Sequence, residues 1–176
     1  MSIESEEDGT VDPRVEEAEN GRAGRPALPA LIGPAQPGDV PAIAALLRAA
    51  ELPHEDFAAH LARFLVARDE HGQVIGAVGA EVHAPDALLR SLVVAPAARG
   101  TGLGAELVRQ IEIAAAGWGG ARWWLLTTTA EKFFAARGFV VSPRASAPAA
   151  IRATGQFSGG CGCSAVCLSR ERRTGV

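Results

Sequence analysis

The segment LLRSLVVAPAARGTGLGAELV, Leu88 to Val108, constrains this chain more than any other. It opens on an almost continuously apolar run, Ala87 to Val94, which reads as a central strand covered on both faces. Pro96 stops the strand. Arg99-Gly100-Thr101-Gly102-Leu103-Gly104 then leads into a helix over Gly102 to Ala116, with Leu103, Leu107, Val108, Ile111 and Ala115 on one face. Glycines let the main chain bend so that several N–H groups converge. The point of convergence is a helix N-terminus, where unpaired donors and the helix dipole favour an anion. Arg99 adds a full positive charge that can fork onto phosphate oxygens. The segment reads as a pyrophosphate cradle; the plain alternative is a glycine-rich turn that only begins a helix. No Lys-Ser or Lys-Thr follows the glycines, which excludes a Walker A loop. Leu107 stands where a dinucleotide fingerprint needs its third glycine, and no parallel βαβ unit flanks the loop.

The elements around this segment define an α/β domain. Ala27 to Ala35 is a short apolar stretch that suits an opening strand. Asp39 stands as an N-cap before Pro41, Ile43, Leu46 and Leu47, an amphipathic helix that Pro53 closes. A second short helix is expected over His54 to Leu61. Arg63 to Asp69 and Gln73 to His83 form a hairpin around Glu70-His71-Gly72. Ala121 to Thr127 returns as a strand. Ala130 to Arg137 is a helix that Gly138 ends. A strand at Phe139 to Ser142, a helix near Pro148 to Thr154 and a last strand at Ser164 to Arg170 complete the order. Several connections are too short for a crossover, so the sheet is expected to be mostly antiparallel.

Charge divides the chain in two. Residues 1–26 hold eight acids against three arginines, with no aromatic residue and no hydrophobic period, and read as a disordered acidic tail. The remaining residues hold 12 acids and 14 bases, too even a balance for a nucleic-acid-binding face. No N-terminal apolar run or membrane-length segment occurs, and only three cysteines are present, so a soluble cytoplasmic domain is expected. Residues 27–170 form that domain and 171–176 a C-terminal tail.

Arg99-x-x-Gly102-x-Gly104, after a strand and into a helix, resembles motif A of the GNAT N-acetyltransferase superfamily, which binds the pyrophosphate of acetyl-CoA. AEKFFAARGF, Ala130 to Phe139, resembles the A-x-x-F-Y-x-x-x-G-F motif of the same superfamily. The likeness spans about Leu31 to Arg170. More narrowly, ALLRSLVVAP, LLTTTAEKFF and the APAAIRAT, QFS and SAVCL pieces resemble a branch of arsenic-resistance N-acetyltransferases. The superfamily resemblance implies a mostly antiparallel mixed sheet of six to seven strands flanked by helices and splayed at an acetyl-CoA cleft. It implies acetyl transfer to the amine of a small molecule, and the branch resemblance extends this to an arsenic-containing amino compound. A homodimer is compatible with it.

The same resemblance gives roles to residues. Val93 and Val94 would supply main-chain contacts to the pantetheine arm, with the Val94 amide or a neighbour as oxyanion donor. Arg99, Gly100, Thr101, Gly102, Leu103, Gly104 and Ala105 would hold the pyrophosphate. Thr127 falls where many relatives touch the cofactor amide; it equally suits a cap on the next helix. Phe134 occupies the position of the tyrosine that often protonates the leaving thiolate, and the chain has no tyrosine at all.

Direct acetyl transfer needs an amine stripped of its proton. Glu81 is the candidate base: it shares a strand face with Ile75, Ala77 and Gly79, where desolvation would raise a carboxylate's pKa. The alternative is a structural pairing with Arg90 or Arg63. His54 and His83 sit near element ends, and Glu55 and Asp56 lie where relatives gate the acceptor pocket. Cys161, Cys163 and Cys167 form C-x-C-x-x-x-C, lacking the fourth ligand of structural zinc. Three thiolates suit a soft thiophilic ion; a buried Cys167 with two loop thiols is the simpler alternative. No metal site is expected.

Overall fold

The computed structural model describes residues 30–159 and 164–171. The acidic tail, the last residues of the chain, Cys161 and Cys163 lie outside them. Seven strands form one sheet: β1 Leu31–Pro34, β2 Phe64–Arg68, β3 Val74–His83, β4 Asp86–Val94, β5 Arg122–Thr127, β6 Val140–Val141 and β7 Val166–Glu171. Their order is β1-β2-β3-β4-β5-β7-β6. Every neighbouring pair is antiparallel except β4 with β5, whose connection is long enough to carry a helix across the sheet.

The helices are α1 Val40–Ala49, α2 Leu103–Gly117, α3 Glu131–Ala135, α4 Ala149–Arg152 and α5 Gly155–Ser158. They cover both faces of the sheet. On one face Leu103, Leu107 and Ile111 of α2, joined by Phe134 and Phe139, pack against Leu65, Val78, Leu89, Trp123 and Leu125. On the other, Ile43 and Leu47 of α1 and Phe57 meet Phe64, Val66, Ala77 and Val93. Ile151 of α4 covers Leu88 and Trp124 farther along that face, beside Cys167. This two-sided cover explains why six of the nine residues of β4 are apolar.

Two expectations need correction. Asp39 stands at the N-cap position of α1 but makes no capping bond with its side chain; it also ends a 3-10 turn, Pro37–Asp39. Its carboxylate instead accepts the Gln36 amide at 2.7 Å, and both carboxylate oxygens accept from Arg68 Nη2, at 2.8 and 2.7 Å, tying α1's entrance to β2. The second helix is a 3-10 segment, Phe57–Arg63, that starts three residues later than expected. By contrast Gly138 ends α3 as expected: its φ is +84°, the Phe139 amide reaches Phe134 O and the Gly138 amide reaches Ala135 O.

Candidate active site

β4 and β5 pair only over Asp86–Leu88 with Arg122–Trp124. Beyond that point β4 stays with β3 and β5 stays with β7, so the two central strands part and leave a wedge open toward Val94 and Thr127. The closed end is fastened by side chains. Asp86 accepts from Arg122 Nε at 2.5 Å, from Arg122 Nη2 at 3.0 Å and from the Trp124 indole at 2.8 Å. Burial pushes this carboxyl up, but those donors outweigh it and hold it below the ordinary aspartate range.

A bulge shapes the open side. Ala77 pairs with Val93 and Gly79 with Arg90, so β4 carries one more residue than β3 across this stretch. Ser91 sits in the left-handed region at φ +57°. An extra residue of this kind bends the strand and re-aims the residues beyond it. Val93 and Val94 lie just past the bulge, on the edge of β4 that β5 has left.

The glycine loop stands at the mouth of the wedge. After the turn Pro96–Ala98, Gly100 and Gly102 adopt φ of +76° and +85°, a region closed to most side chains. Thr101 Oγ1 donates to Ala98 O at 2.7 Å and steadies the turn. Leu103 anchors the start of α2 in the core. Among the described residues, the amides from Gly100 to Ala105 find no backbone acceptor, whereas that of Glu106 already bonds Gly102 O. These donors, at the positive end of a 15-residue helix, suit a diphosphate. Arg99 is exposed, donates from Nε to Val94 O at 3.1 Å and forms no ion pair among the described residues.

Glu81 is buried on β3, and charged groups share the otherwise apolar face it occupies. Arg90, opposite on β4, has its side chain wholly buried and donates from Nη1 to Glu81 Oε1. It also forks onto Asp56, with Nη1 on Oδ2 at 3.1 Å and Nη2 on Oδ1. Arg90 holds the Asp56 carboxyl below its ordinary range, and the two carboxylates raise the Arg90 pKa in spite of burial. His60 Nε2 lies 3.8 Å from Glu81 Oε1, and His83 Nε2 lies 4.0 Å from Oε2. Asp56, His60 and Glu81 bring their ligand atoms within 4.8 Å of one another, but Arg90 already supplies the cation between the carboxylates. Asp56 and His83 thus join the cluster. His54 turns away, 3.1 Å from Leu52 O, and Glu55 is exposed beside it.

His60 escaped the sequence argument because the pattern around it announces only a helix. The helical period separates Phe133 and Phe134. Phe134 lies in the core with Phe139 and is 4% exposed. Phe133 instead lies against the glycine loop, 3.6 Å from the position a Gly104 Cβ would take. Thr127, at the open end of β5, accepts the Ala130 amide at 3.0 Å, a cap on the turn into α3. Cys167 is buried under α4, and burial pushes its thiol pKa up against the pull of Arg144.

A family model for the acetyltransferase (GNAT) domain matches residues 60–141, which contain the Glu81–Arg90 pair, the bulge, the glycine loop and α3. The GNAT-family N-acetyltransferase YhbS of Escherichia coli, solved with CoA, is 32% identical over 66% of this chain and 72% of its own, with a TM-score of 0.56. The chain belongs to the GNAT acetyltransferase family. N-acetylglutamate synthase from Neisseria gonorrhoeae, solved with coenzyme A and N-acetyl-glutamate, is 27% identical with a TM-score of 0.71 over 81% of this chain. This GNAT chain spans about a third of that protein, 35% of its length. A Mycobacterium tuberculosis protein solved with CoA and NLQ shares the GNAT fold over 80% of this chain and 98% of its own, at 22% identity and a TM-score of 0.68. No protein among the curated sequences matches. Among the described residues of this GNAT domain, no helix is long and apolar enough to cross a membrane.

Proposed function

We propose that the chain transfers acetyl from acetyl-CoA to the amine of a small molecule. The observation that carries this reading is the wedge between β4 and β5 with an unsatisfied phosphate cradle at its mouth. Acetyl-CoA brings a thioester already activated toward an amine. Gly100 to Ala105 and Arg99 hold its diphosphate end. The edge of β4 at Val93 and Val94 orients the pantetheine arm, and the amide there donates to the thioester oxygen as charge develops. Thr127 borders the same gap.

Glu81 takes the proton of the attacking amine. Its Oε1 is occupied by Arg90, whereas Oε2 accepts no hydrogen bond among the described residues, which leaves that oxygen for the amine. Phe134 has no proton to give, so the thiolate takes its proton from another group or from water, or leaves unprotonated. The branch resemblance makes an arsenic-containing amino compound one acceptor to test. The N-acetyl-glutamate bound to the Neisseria relative supports including amino acids. The near-even charge of residues 27–176 favours such a small acceptor over nucleic acid.

A second reading, an acyl-CoA- or metalloid-binding sensor, draws on the missing tyrosine and the cysteines; the buried, protonated Cys167 weakens its metalloid form. The test is calorimetry with acetyl-CoA, then product mass spectrometry on amino acids, polyamines and amino-arsenicals. One acetylated product is expected, and Glu81→Gln should keep acetyl-CoA affinity while lowering kcat by about 100-fold or more. Absence of acetyl-CoA binding overturns the reading. Binding without any product selects the sensor, and an unchanged kcat in Glu81→Gln removes Glu81 as the base.

A further inference from the structure

A groove runs between α2 and α3, beginning at Ala105, the last residue of the cradle, and lined by Val108, Arg109, Glu112, Arg137 and Arg170. Two of its three arginines are committed. Arg109 forks onto Glu106, Nε at 2.8 Å and Nη2 at 2.6 Å. Arg170 donates to Glu112 and to Arg137 O, and its guanidinium lies over the Phe139 ring.

Arg137 differs from both. Its guanidinium lies over the Phe133 ring, 3.5 Å from the centroid, and Nη1 donates to Phe133 O at 2.5 Å. It forms no salt bridge with a carboxylate among the described residues, although it is half-buried. Burial pushes its pKa down, the signature of a cation that has lost water without gaining an anion. Phe133 is the ring that lies against Gly104. Cradle, ring and guanidinium therefore form a stack, with the spare cation one layer beyond the diphosphate donors.

We propose that Arg137 is a specificity residue that reads the 3′-phosphate monoester at the nucleotide end of coenzyme A. The inference rests on the acetyl-CoA reading above. In that ligand the monoester sits one ribose beyond the diphosphate, and the groove begins at the last residue of the diphosphate cradle. A phosphate monoester carries nearly two charges at neutral pH and matches the planar fork of an arginine. The stack on Phe133 holds the fork in place before the ligand arrives, which limits the ordering entropy lost on binding.

The test compares acetyl-CoA with its 3′-dephospho form by calorimetry on the full chain, in the wild type, Arg137→Gln, Arg137→Lys and Arg109→Gln. The wild type should prefer acetyl-CoA by about tenfold, the scale of one charge-assisted fork. Arg137→Gln should bind both ligands as weakly as the wild type binds the dephospho form. Arg137→Lys should keep part of the preference, and Arg109→Gln nearly all of it. Equal affinity of the wild type for both ligands overturns the inference and leaves the acetyl-CoA reading intact, as does a preference that survives Arg137→Gln. Binding of neither ligand overturns the acetyl-CoA reading and this inference with it.

Discussion

Arg90 has a wholly buried side chain and two carboxylates to compensate it, one 9 and one 34 positions away in sequence. A buried ion pair is weak evidence for stability, because desolvation consumes most of the Coulombic gain, but breaking one strands the charges left behind. Arg90→Met should therefore destabilise the fold by about 3–5 kcal/mol, since Glu81 and Asp56 would face each other without a cation. Urea unfolding checks this; a loss below about 1 kcal/mol would show that water already shares the cluster. Arg90→Lys should fall between, because one ammonium cannot fork onto Asp56 and reach Glu81 as a guanidinium does. At this scale the sequence was legible in part. The alternating face of β3 marked Glu81, and Arg90 was one of its two named partners. Asp56 was visible only as a pocket residue, since its place depends on how a 3-10 segment docks 34 positions from Arg90.

Two glycines separate what the elements do. Gly102 holds φ +85°, yet a Cβ there would meet nothing within 4 Å. Gly102→Ala should thus cost about 1–2 kcal/mol for the left-handed backbone, without a clash. If the loop relaxes to avoid that strain, its amides lose their common aim and acetyl-CoA binding weakens by about tenfold. Gly79 is the reverse case. It pairs with Arg90 beside the bulge, and its Cβ would fall 2.3 Å from the Phe64 ring. Gly79→Ala should lower stability by about 1–3 kcal/mol through overpacking. Thermal unfolding should show both variants less stable, whereas calorimetry should show acetyl-CoA affinity reduced in Gly102→Ala alone; equal acetyl-CoA affinity in Gly102→Ala and the wild type would deny the loop its role. The glycine loop and α2 were readable because glycine placement and helical period are local signals. The Ser91 bulge was not, because its cause is a mismatch between β3 and β4 that neither strand shows alone.

Across the molecule, three ion pairs link segments 29 to 36 residues apart: Asp39 with Arg68, Asp56 with Arg90, and Asp86 with Arg122. Such pairs leave no periodic trace, which is why the order of elements along the chain was largely legible while the ties between elements were not. All three aspartates are held below their ordinary range. Burial opposes the shift in Asp39 and Asp86 but is outweighed by hydrogen-bonding donors, and the Arg90 fork leads in Asp56. A depressed folded-state pKa means that the unfolded chain takes up the proton first. The stabilisation is therefore fully present above about pH 4–5 and is lost as pH falls through the depressed values. Glu112 acts with the opposite sign, because burial raises its pKa despite Arg170, so its protonation begins to favour the fold at a higher pH. The urea midpoint should consequently change little between about pH 8 and pH 5 and fall steeply below about pH 4. Asp86→Asn should make that fall shallower while lowering the neutral plateau, since it removes the charge that fastens the closed end of the β4–β5 wedge. A midpoint that rises below about pH 4, or an Asp86→Asn slope equal to that of the wild type, would show that these pairs do not carry the acid response.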